Sequence, residues 1–177
     1  MSTIRIEHEV EILRPRDDVF AFVSDQEHLP AWTSGVSRAR RTTPGPIGVG
    51  TTYAVVGRSL GRRIESTYEL TEFDPPTGFV SRVESALFSI EETYAFDGDG
   101  RATTIRLTAD ATARGFLRLL GPVLGLAVDR QIRADHNRLK SILERRRRRR
   151  AAAAPAAEPP EPPEPAEDPQ AEAVTGE

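Results

Sequence analysis

Apolar and polar residues alternate with a period of two at the start of the chain, over residues 3–13. His8 falls on the apolar side among isoleucine and valine residues, whereas arginine and glutamate residues occupy the other side. This pattern predicts a β-strand with one buried and one solvated face.

A short helix is predicted next, over "RPRDDVFAFVSD" at residues 14–25. Pro15 suits the first turn of a helix, and Asp17 and Asp18 are favoured by the positive end of the helix dipole. "DQEHLPAW" predicts a second short helical segment that ends at Trp32, the only tryptophan in the chain. Two short helices are therefore expected to follow the first strand.

Six more strands are predicted between residues 34 and 113, where alternating runs are separated by turns rich in glycine and proline. The runs are "SGVSRARRT", "GTTYAVVGRS", "RRIESTYELTEF", "GFVSRVES", "FSIEETYAFD" and "RATTIRLTADATA". The "DGDG" turn before the last run is a hairpin signal. Connections this short leave no room for the crossover helices of a parallel sheet, so we expect an antiparallel meander.

A long helix is predicted from Gly115 to about Arg148. One of its stripes is mostly apolar and is interrupted by Asp135. The other residues of the stripe are Leu117, Gly121, Leu124, Val128, Ile132, Leu139, Ile142 and Leu143. Only this helix is long enough to cover the apolar face of a seven-stranded sheet. The expected fold is therefore α+β, a seven-stranded antiparallel sheet wrapped around a long C-terminal helix.

Trp32 is the largest apolar side chain in an otherwise polar stretch. We interpret it as an anchor that fixes the short helices to the edge of the sheet. The alternative is that its indole lines the mouth of a pocket.

The folded domain is expected to span residues 1–148, and residues 149–177 are expected to form a disordered acidic tail. After Arg150 the chain contains seven prolines, seven acidic residues and no aromatic residue. This composition cannot bury enough apolar surface to fold.

Charge is distributed unevenly, because all 24 lysine and arginine residues lie at or before Arg150. The run Arg145–Arg150 is of a kind that contacts phosphates. Acidic residues follow it closely, however, and no aromatic residues interleave with it. We therefore expect no specific nucleic-acid binding and at most transient contact with an anionic membrane. The arginine, alanine and proline bias is typical of a GC-rich bacterial genome.

Several kinds of site are excluded or disfavoured by the composition. The chain has no cysteine, which excludes disulfides, thiolate metal sites and cysteine nucleophiles. His8, His28 and His136 lack metal-ligand spacing, and neither a phosphate loop nor a nucleophile elbow occurs. We expect no metal and no cofactor. The sequence shows no signal peptide and no apolar run long enough to span a membrane, which favours a cytoplasmic protein. We expect a monomer or a homodimer.

Four motifs together resemble the SRPBCC superfamily, the START and pollen-allergen helix-grip group that includes polyketide cyclase/dehydrase-like proteins. They are "RPRDDVFAFVSDQEHLPAW", "PIGVGTTY", "YELTEFDPPTGF" and "LKSILE", and the resemblance spans roughly residues 4–144. It implies a helix-grip fold with an internal cavity for apolar small molecules. Members include carriers, sensors, cyclases and chaperone cofactors, and the motifs mark turns and helix ends, so no catalytic residue is carried over.

Candidate site residues are those on the inward faces of the predicted strands and helix, with particular weight on polar side chains where apolar ones are expected. The candidate ligand-binding residues are His8, Tyr53, Tyr68, Leu70, Ile90, Glu92, Tyr94, Leu107, Leu124 and Val128. His8 and Glu92 are also the candidate acid–base pair. Their strands are expected to be separated by one strand and thus ~10 Å apart, a distance that a small ligand can bridge. The alternative is that each contacts a neighbouring group or faces solvent.

Three functions are consistent with these observations. The first is reversible binding of a hydrophobic or aromatic small molecule or lipid in an internal cavity, in a carrier, sensor or sequestering protein. The second is an enzyme of the cyclase/dehydrase type that uses His8, Glu92 and a cavity tyrosine. The third is an interaction protein that acts through the arginine run and the acidic tail.

Overall fold

The structure, a computed structural model, describes residues 3–59, 61–115 and 121–153. For residues 59, 121–125 and 146–153 it describes the backbone alone. The strands are β1 (Thr3–Ile12), β2 (Val36–Arg41), β3 (Thr52–Ser59), β4 (Arg62–Asp74), β5 (Gly78–Ser85), β6 (Phe88–Gly98) and β7 (Thr103–Ala113). The helices are α1 (Arg16–Ser24), a 3-10 turn (Gln26–His28), α2 (Leu29–Trp32) and α3 (Gly121–Ala153).

The seven strands form one antiparallel sheet in the order β1-β7-β6-β5-β4-β3-β2. Strands β2 to β7 pair in sequence order as a meander, and β1 joins the edge formed by β7. The short α1 and α2 follow β1, and α3 lies against the sheet. The predicted fold class is confirmed.

Side chains alternate between the two faces of each strand, so the register decides which residues point toward α3. His8 of β1 pairs with Leu107 of β7, which pairs with Tyr94 of β6. The next row on the same face contains Glu92 of β6 opposite Ser81 of β5. The inward face therefore combines apolar residues with a few polar ones.

Three hydrogen bonds fix the C-terminal half of α3 along β1. Lys140 donates to the carbonyl of Glu11 at 2.6 Å, and Glu144 accepts from the backbone N–H of Leu13 at 3.0 Å. The buried Arg14 donates to the carbonyl of Leu143 at 3.3 Å and to Asp18 at 2.6 Å. These contacts place α3 over the inward face of the sheet.

The core between α1, α3 and the sheet is rich in aromatic residues. Phe20 of α1 packs against Phe73, Phe79 and Phe96 with ring centroids 5.3–6.2 Å apart. Trp32 is 4% exposed and belongs to the same apolar cluster. The predicted burial of Trp32 is thus confirmed, and its role as an anchor stays a prediction.

The chain leaves α2 through a turn that only glycines permit. Gly35 has φ of +88°, and a Cβ on Gly57 of β3 would lie 2.5 Å from the carbonyl oxygen of Gly35. Neither position accommodates a side chain without strain or a clash. The two glycines let β2 start directly beneath α2 and hold the Trp32 helix close to the sheet.

Helix α3 continues to Ala153, five residues past its predicted end at 148. The described part of α3 begins at Gly121, after the predicted helix start at Gly115. The predicted stripe residue Leu117 lies outside the described residues. The predicted tail beyond residue 153 lies outside the described residues, and the boundary at 148 stays a prediction. No helix in the described part of the chain is long and apolar enough to cross a membrane.

Candidate functional site

Eight of the ten predicted ligand-binding residues lie on the face of the sheet that α3 covers. They are His8, Tyr53, Tyr68, Leu70, Ile90, Glu92, Tyr94 and Leu107. Of the two on α3, Val128 is 37% exposed, and the side chain of Leu124 is outside the described residues. The alternation of the strands thus brings the predicted strand residues to one surface.

Burial separates these eight residues into two groups. Tyr53, Leu70 and Leu107 are at most 3% exposed and pack within the apolar core. Tyr94 is nearly buried, at 7% exposure. His8, Tyr68, Ile90 and Glu92 are only half-buried, although they occupy the covered face. These four residues are thus covered only in part by the described residues, and we call the patch formed by Tyr68, Ile90, Glu92 and Tyr94 on this face the inner recess.

Glu92 is the acidic group of the inner recess. Its carboxylate accepts a hydrogen bond from the hydroxyl of Ser81 at 3.3 Å. Burial raises the pKa of Glu92 to about 7, and the hydrogen bond from Ser81 opposes this rise only in part. Protein atoms therefore replace much of the water around this carboxyl, although part of its surface still contacts solvent. Glu92 therefore changes its charge near neutral pH.

Two phenols share the inner recess with Glu92. Burial raises the pKa values of Tyr68 and Tyr94 above the ordinary value, and the charge of Glu92 raises both further. Both phenols therefore stay protonated at neutral pH. Neither hydroxyl makes a hydrogen bond to another residue in the described ranges. Within those ranges each hydroxyl keeps its capacity as donor and acceptor.

A column of rings stands beside the inner recess and links the sheet, α3 and α2. His8 stacks on His136 at 4.8 Å between ring centroids, and His136 stacks on Trp32 at 5.9 Å. The edge of His136 also meets Tyr94 at 6.3 Å. His136 is 2% exposed, and neither ring nitrogen has a partner of ordinary hydrogen-bond geometry in the described part of the chain.

Both histidines of the column are held in the neutral form. Burial lowers the pKa of His136 to about 4, and the nearby His8 contributes to this change. The pKa of His8 is also lowered, first by burial and then by the charge of Arg133, against a smaller opposite effect of Asp129. At neutral pH each imidazole thus offers one N–H donor and one lone pair.

Asp135 has a structural partner. Its carboxylate accepts a hydrogen bond from the backbone N–H of Ser34 at 2.9 Å, directly after α2. Gln131 donates to the carbonyl of the same serine at 2.9 Å. Asp135 thus links α3 to the segment that follows α2.

Two residues of the site were not singled out from the sequence. His136 is not among the predicted stripe residues, although it lies four residues after Ile132 and three before Leu139, on one face of the helix. Ser81 faces Glu92 only once the β5–β6 hairpin is in register. The helical spacing of His136 would have identified it as an inward residue. The register of the β5–β6 hairpin would have identified Ser81 as the neighbour of Glu92.

Two recesses on the outer surface lie away from the predicted residues. One of about 420 Å³ lies between α2 and α3 and is lined by Ala31, Asn137, Arg138, Ser141, Ile142 and Arg145. Another of about 480 Å³ lies beside α1 and includes Phe20, Ile47, Phe73 and Pro76. The internal cavity inferred from the sequence stays a prediction, which the half-burial of Glu92 and its neighbours supports.

Comparison with solved structures shows the same fold at low sequence identity. The Zhui aromatase/cyclase from Streptomyces sp. R1128 superposes with a TM-score of 0.71 at 19% identity, over 86% of this chain and 99% of that chain. A START superfamily protein from Mycobacterium smegmatis gives 0.69 at 12% identity, over 80% and 97%. Ara h 8.0201 gives 0.60 at 15% identity, over 80% and 98%.

Sequence comparison extends this likeness to a family. No curated protein matches the chain with significant similarity. The model of the family described as "Polyketide cyclase / dehydrase and lipid transport" matches residues 3–144, from the start of β1 to the C-terminal half of α3. The SRPBCC resemblance of the motifs is thereby confirmed, and the chain belongs to the polyketide cyclase/dehydrase and lipid transport family.

Proposed function

We propose that this protein reversibly binds a hydrophobic or aromatic small molecule or lipid in the inner recess. The observation that carries the proposal is Glu92, a half-buried carboxyl that faces the core beside two phenols without hydrogen bonds to described residues. An unpaired carboxyl costs stability at such a position. Its presence is explained if it contacts a ligand.

The chemistry of the recess matches that of small-molecule sites. Such sites are mostly apolar and aromatic, with a few polar groups that fix the orientation of the ligand. Here Ile90, Phe79 and the ring of Tyr94 supply apolar surface, with Phe79 and Tyr94 stacked at 4.9 Å. Glu92 and Tyr68 supply the polar contacts. The ligand is expected to combine an apolar frame with at least one hydrogen-bonding group.

Native mass spectrometry of the purified protein, followed by denaturation, tests for a small molecule that co-purifies with the chain. Titration with Nile red, a neutral apolar dye, tests the recess itself, and we expect saturable binding at micromolar concentrations. Ile90→Trp adds a ring at the half-buried edge of the recess and should abolish dye binding. Glu91→Trp adds the same ring one residue away on the exposed face and should leave binding unchanged. Equal dye binding by both variants would place the ligand elsewhere.

Catalysis is the second candidate function. It is favoured by the pKa of Glu92 of about 7, which suits a group that gives and takes protons at neutral pH. His8 lies across β7 from Glu92 on the same face, as the acid–base hypothesis requires. A carboxylate in this position would remove a proton from carbon next to a carbonyl, and the resulting acid would return a proton to the enolate.

A model β-diketone, 1-(2-naphthyl)butane-1,3-dione, tests this candidate. The protein is added in deuterated buffer, and exchange of the protons between the two carbonyls is followed by NMR. Exchange faster than in buffer, and slowed by Glu92→Gln but not by Glu91→Gln, would support an enzyme. Binding without faster exchange would favour a carrier.

A further inference from the structure

The inner recess contains an acidic group without a basic partner. The hydrogen-bond partner of Glu92 in the described ranges is the neutral hydroxyl of Ser81 at 3.3 Å. No lysine, arginine or histidine of those ranges forms an ion pair with it within 4.0 Å. An ionised Glu92 therefore has no compensating cation among the described residues.

Two carboxylates act on Tyr94 in the recess. Asp135 is 6% exposed, and its charge reaches Tyr94, as does that of Glu92. Arg133 pairs with Asp129 at 3.0 Å on the exposed side of α3. His8 and His136 are neutral at pH 7 because their pKa values are lowered. Among the described residues, no lysine or arginine forms an ion pair with Glu92 or with Asp135.

Two phenols lie on the same face as Glu92 and close enough for its charge to act on both. The faces of aromatic rings carry the negative part of the ring quadrupole, which attracts cations. A carboxylate and two phenol oxygens are acceptors that suit a group with several N–H donors.

We propose that the inner recess selects ligands that carry a cationic amine on an apolar or aromatic frame, and that it rejects ligands whose polar group is a carboxylate or a phosphate. The ammonium would pair with Glu92 and lie against the rings of Tyr68 and Tyr94. This inference rests on the proposed binding function and specifies its ligand class.

Three probes share a naphthalene frame and differ in the charge of their polar group, so they separate the effect of charge from that of the frame. They are 2-(aminomethyl)naphthalene, 2-naphthalenemethanol and 2-naphthoate. Their affinities for the wild-type protein are measured by calorimetry at pH 7. The amine should bind at least about tenfold more tightly than the alcohol, because a charge-assisted hydrogen bond replaces a neutral one. The carboxylate should bind most weakly.

Glu92→Gln keeps the size of the side chain and the hydrogen bond from Ser81 but removes the charge. It should weaken amine binding about tenfold and change alcohol binding less than about threefold. Glu91→Gln, on the exposed face of the same strand, should leave all three affinities unchanged. An equal loss for all three probes in Glu92→Gln would indicate a structural role and overturn the inference.

Proton release gives an independent readout. In the described elements around Glu92, the titratable groups are Tyr68 on β4, Tyr94 on β6, His8 on β1, and Asp135 and His136 on α3. The phenols titrate above the neutral range and His136 titrates near pH 4. Because Glu92 has a pKa of about 7, amine binding at pH 7 should release roughly half a proton. Calorimetry in two buffers of different ionisation enthalpy measures this, and Glu92→Gln should release none.

The outcomes distinguish the two proposals. If the alcohol binds but the amine binds no more tightly, or if 2-naphthoate binds as well as the amine, the amine inference is overturned and the binding function stands. If none of the three probes binds to the wild-type protein, both proposals are overturned. Amine preference that depends on Glu92 and is accompanied by proton release supports both.

Discussion

Replacement of Glu92 by glutamine should stabilise the protein at alkaline pH. In the folded protein the pKa of Glu92 is about 7, compared with an ordinary value of 4.5. The folded state therefore binds more protons than the unfolded state between these two values, and stability falls as pH rises through this window. Above it, the full cost of an ionised Glu92 is present. Glutamine carries no charge and avoids this cost.

The size of the effect follows from the two pKa values. At about 1.4 kcal/mol per pH unit, the difference corresponds to roughly 3 kcal/mol. Residual contact of the half-buried carboxyl with water lowers the expected gain to about 1–3 kcal/mol. Most of this gain should appear between pH 5 and pH 8.

Urea unfolding of the wild type and of Glu92→Gln at pH 5, 6, 7 and 8 measures the gap in the free energy of unfolding. The buried His136 also makes stability depend on pH, because its lowered pKa costs stability as pH falls below 6.5. This contribution is common to both proteins and cancels in the comparison. Glu91→Gln, on the exposed face, controls for the loss of one negative charge.

A gap between wild type and Glu92→Gln that stays constant from pH 5 to pH 8 would refute the reasoning. It would mean that Glu92 has the same pKa in the folded and unfolded states. The inner recess would then be open to bulk water and could not distinguish ligands by charge.

Other changes test separate parts of the structure. Trp32→Ala removes a core ring and should lower the free energy of unfolding by ~3–5 kcal/mol in urea titration, and a loss below about 1 kcal/mol would contradict the anchor role. Deletion of residues 154–177 removes a segment whose composition does not favour burial, so the thermal midpoint should move by less than about 2 °C in calorimetry. The same deletion removes seven acidic residues and should increase binding to vesicles containing phosphatidylserine, an increase that high salt abolishes; unchanged binding would mean that the tail does not mask the arginine run. His8→Ala should alter the relative affinities of a set of aromatic ligands more than the thermal midpoint, and the reverse result would make His8 a core residue.

The strands, their order and the covering helix could be predicted because each rests on a local pattern. Alternation marks the faces of the strands, and short turns permit only antiparallel neighbours. Glu92 could be recognised as a polar residue on an apolar face for the same reason. The difference in burial between Tyr53, which is packed in the core, and Tyr68, which is half-buried, could not be predicted. The two side chains are directly paired across β3 and β4, so strand alternation treats them alike. What differs is how far α1, α2 and α3 cover each, which depends on helix placement.

Residues of α3 show a second limit of sequence patterns. The predicted stripe through Ile132 and Leu139 has Asp135 as its polar interruption and does not include His136. In the structure both residues are buried, because α2 packs on one side of α3 and the sheet on the other. A helix with two buried neighbours has a wider buried face than one lying on a sheet alone.

The contact of Trp32 with His136 gives the protein a built-in optical probe. The chain has one tryptophan, so its fluorescence reports a single position. That indole stacks on an imidazole whose other face meets His8 and whose edge meets Tyr94 of the inner recess. An imidazolium quenches indole emission by accepting an electron from the excited ring, whereas a neutral imidazole does so weakly. Emission from Trp32 should therefore change with any event that charges or displaces His136, so occupancy of the recess can be followed without a label.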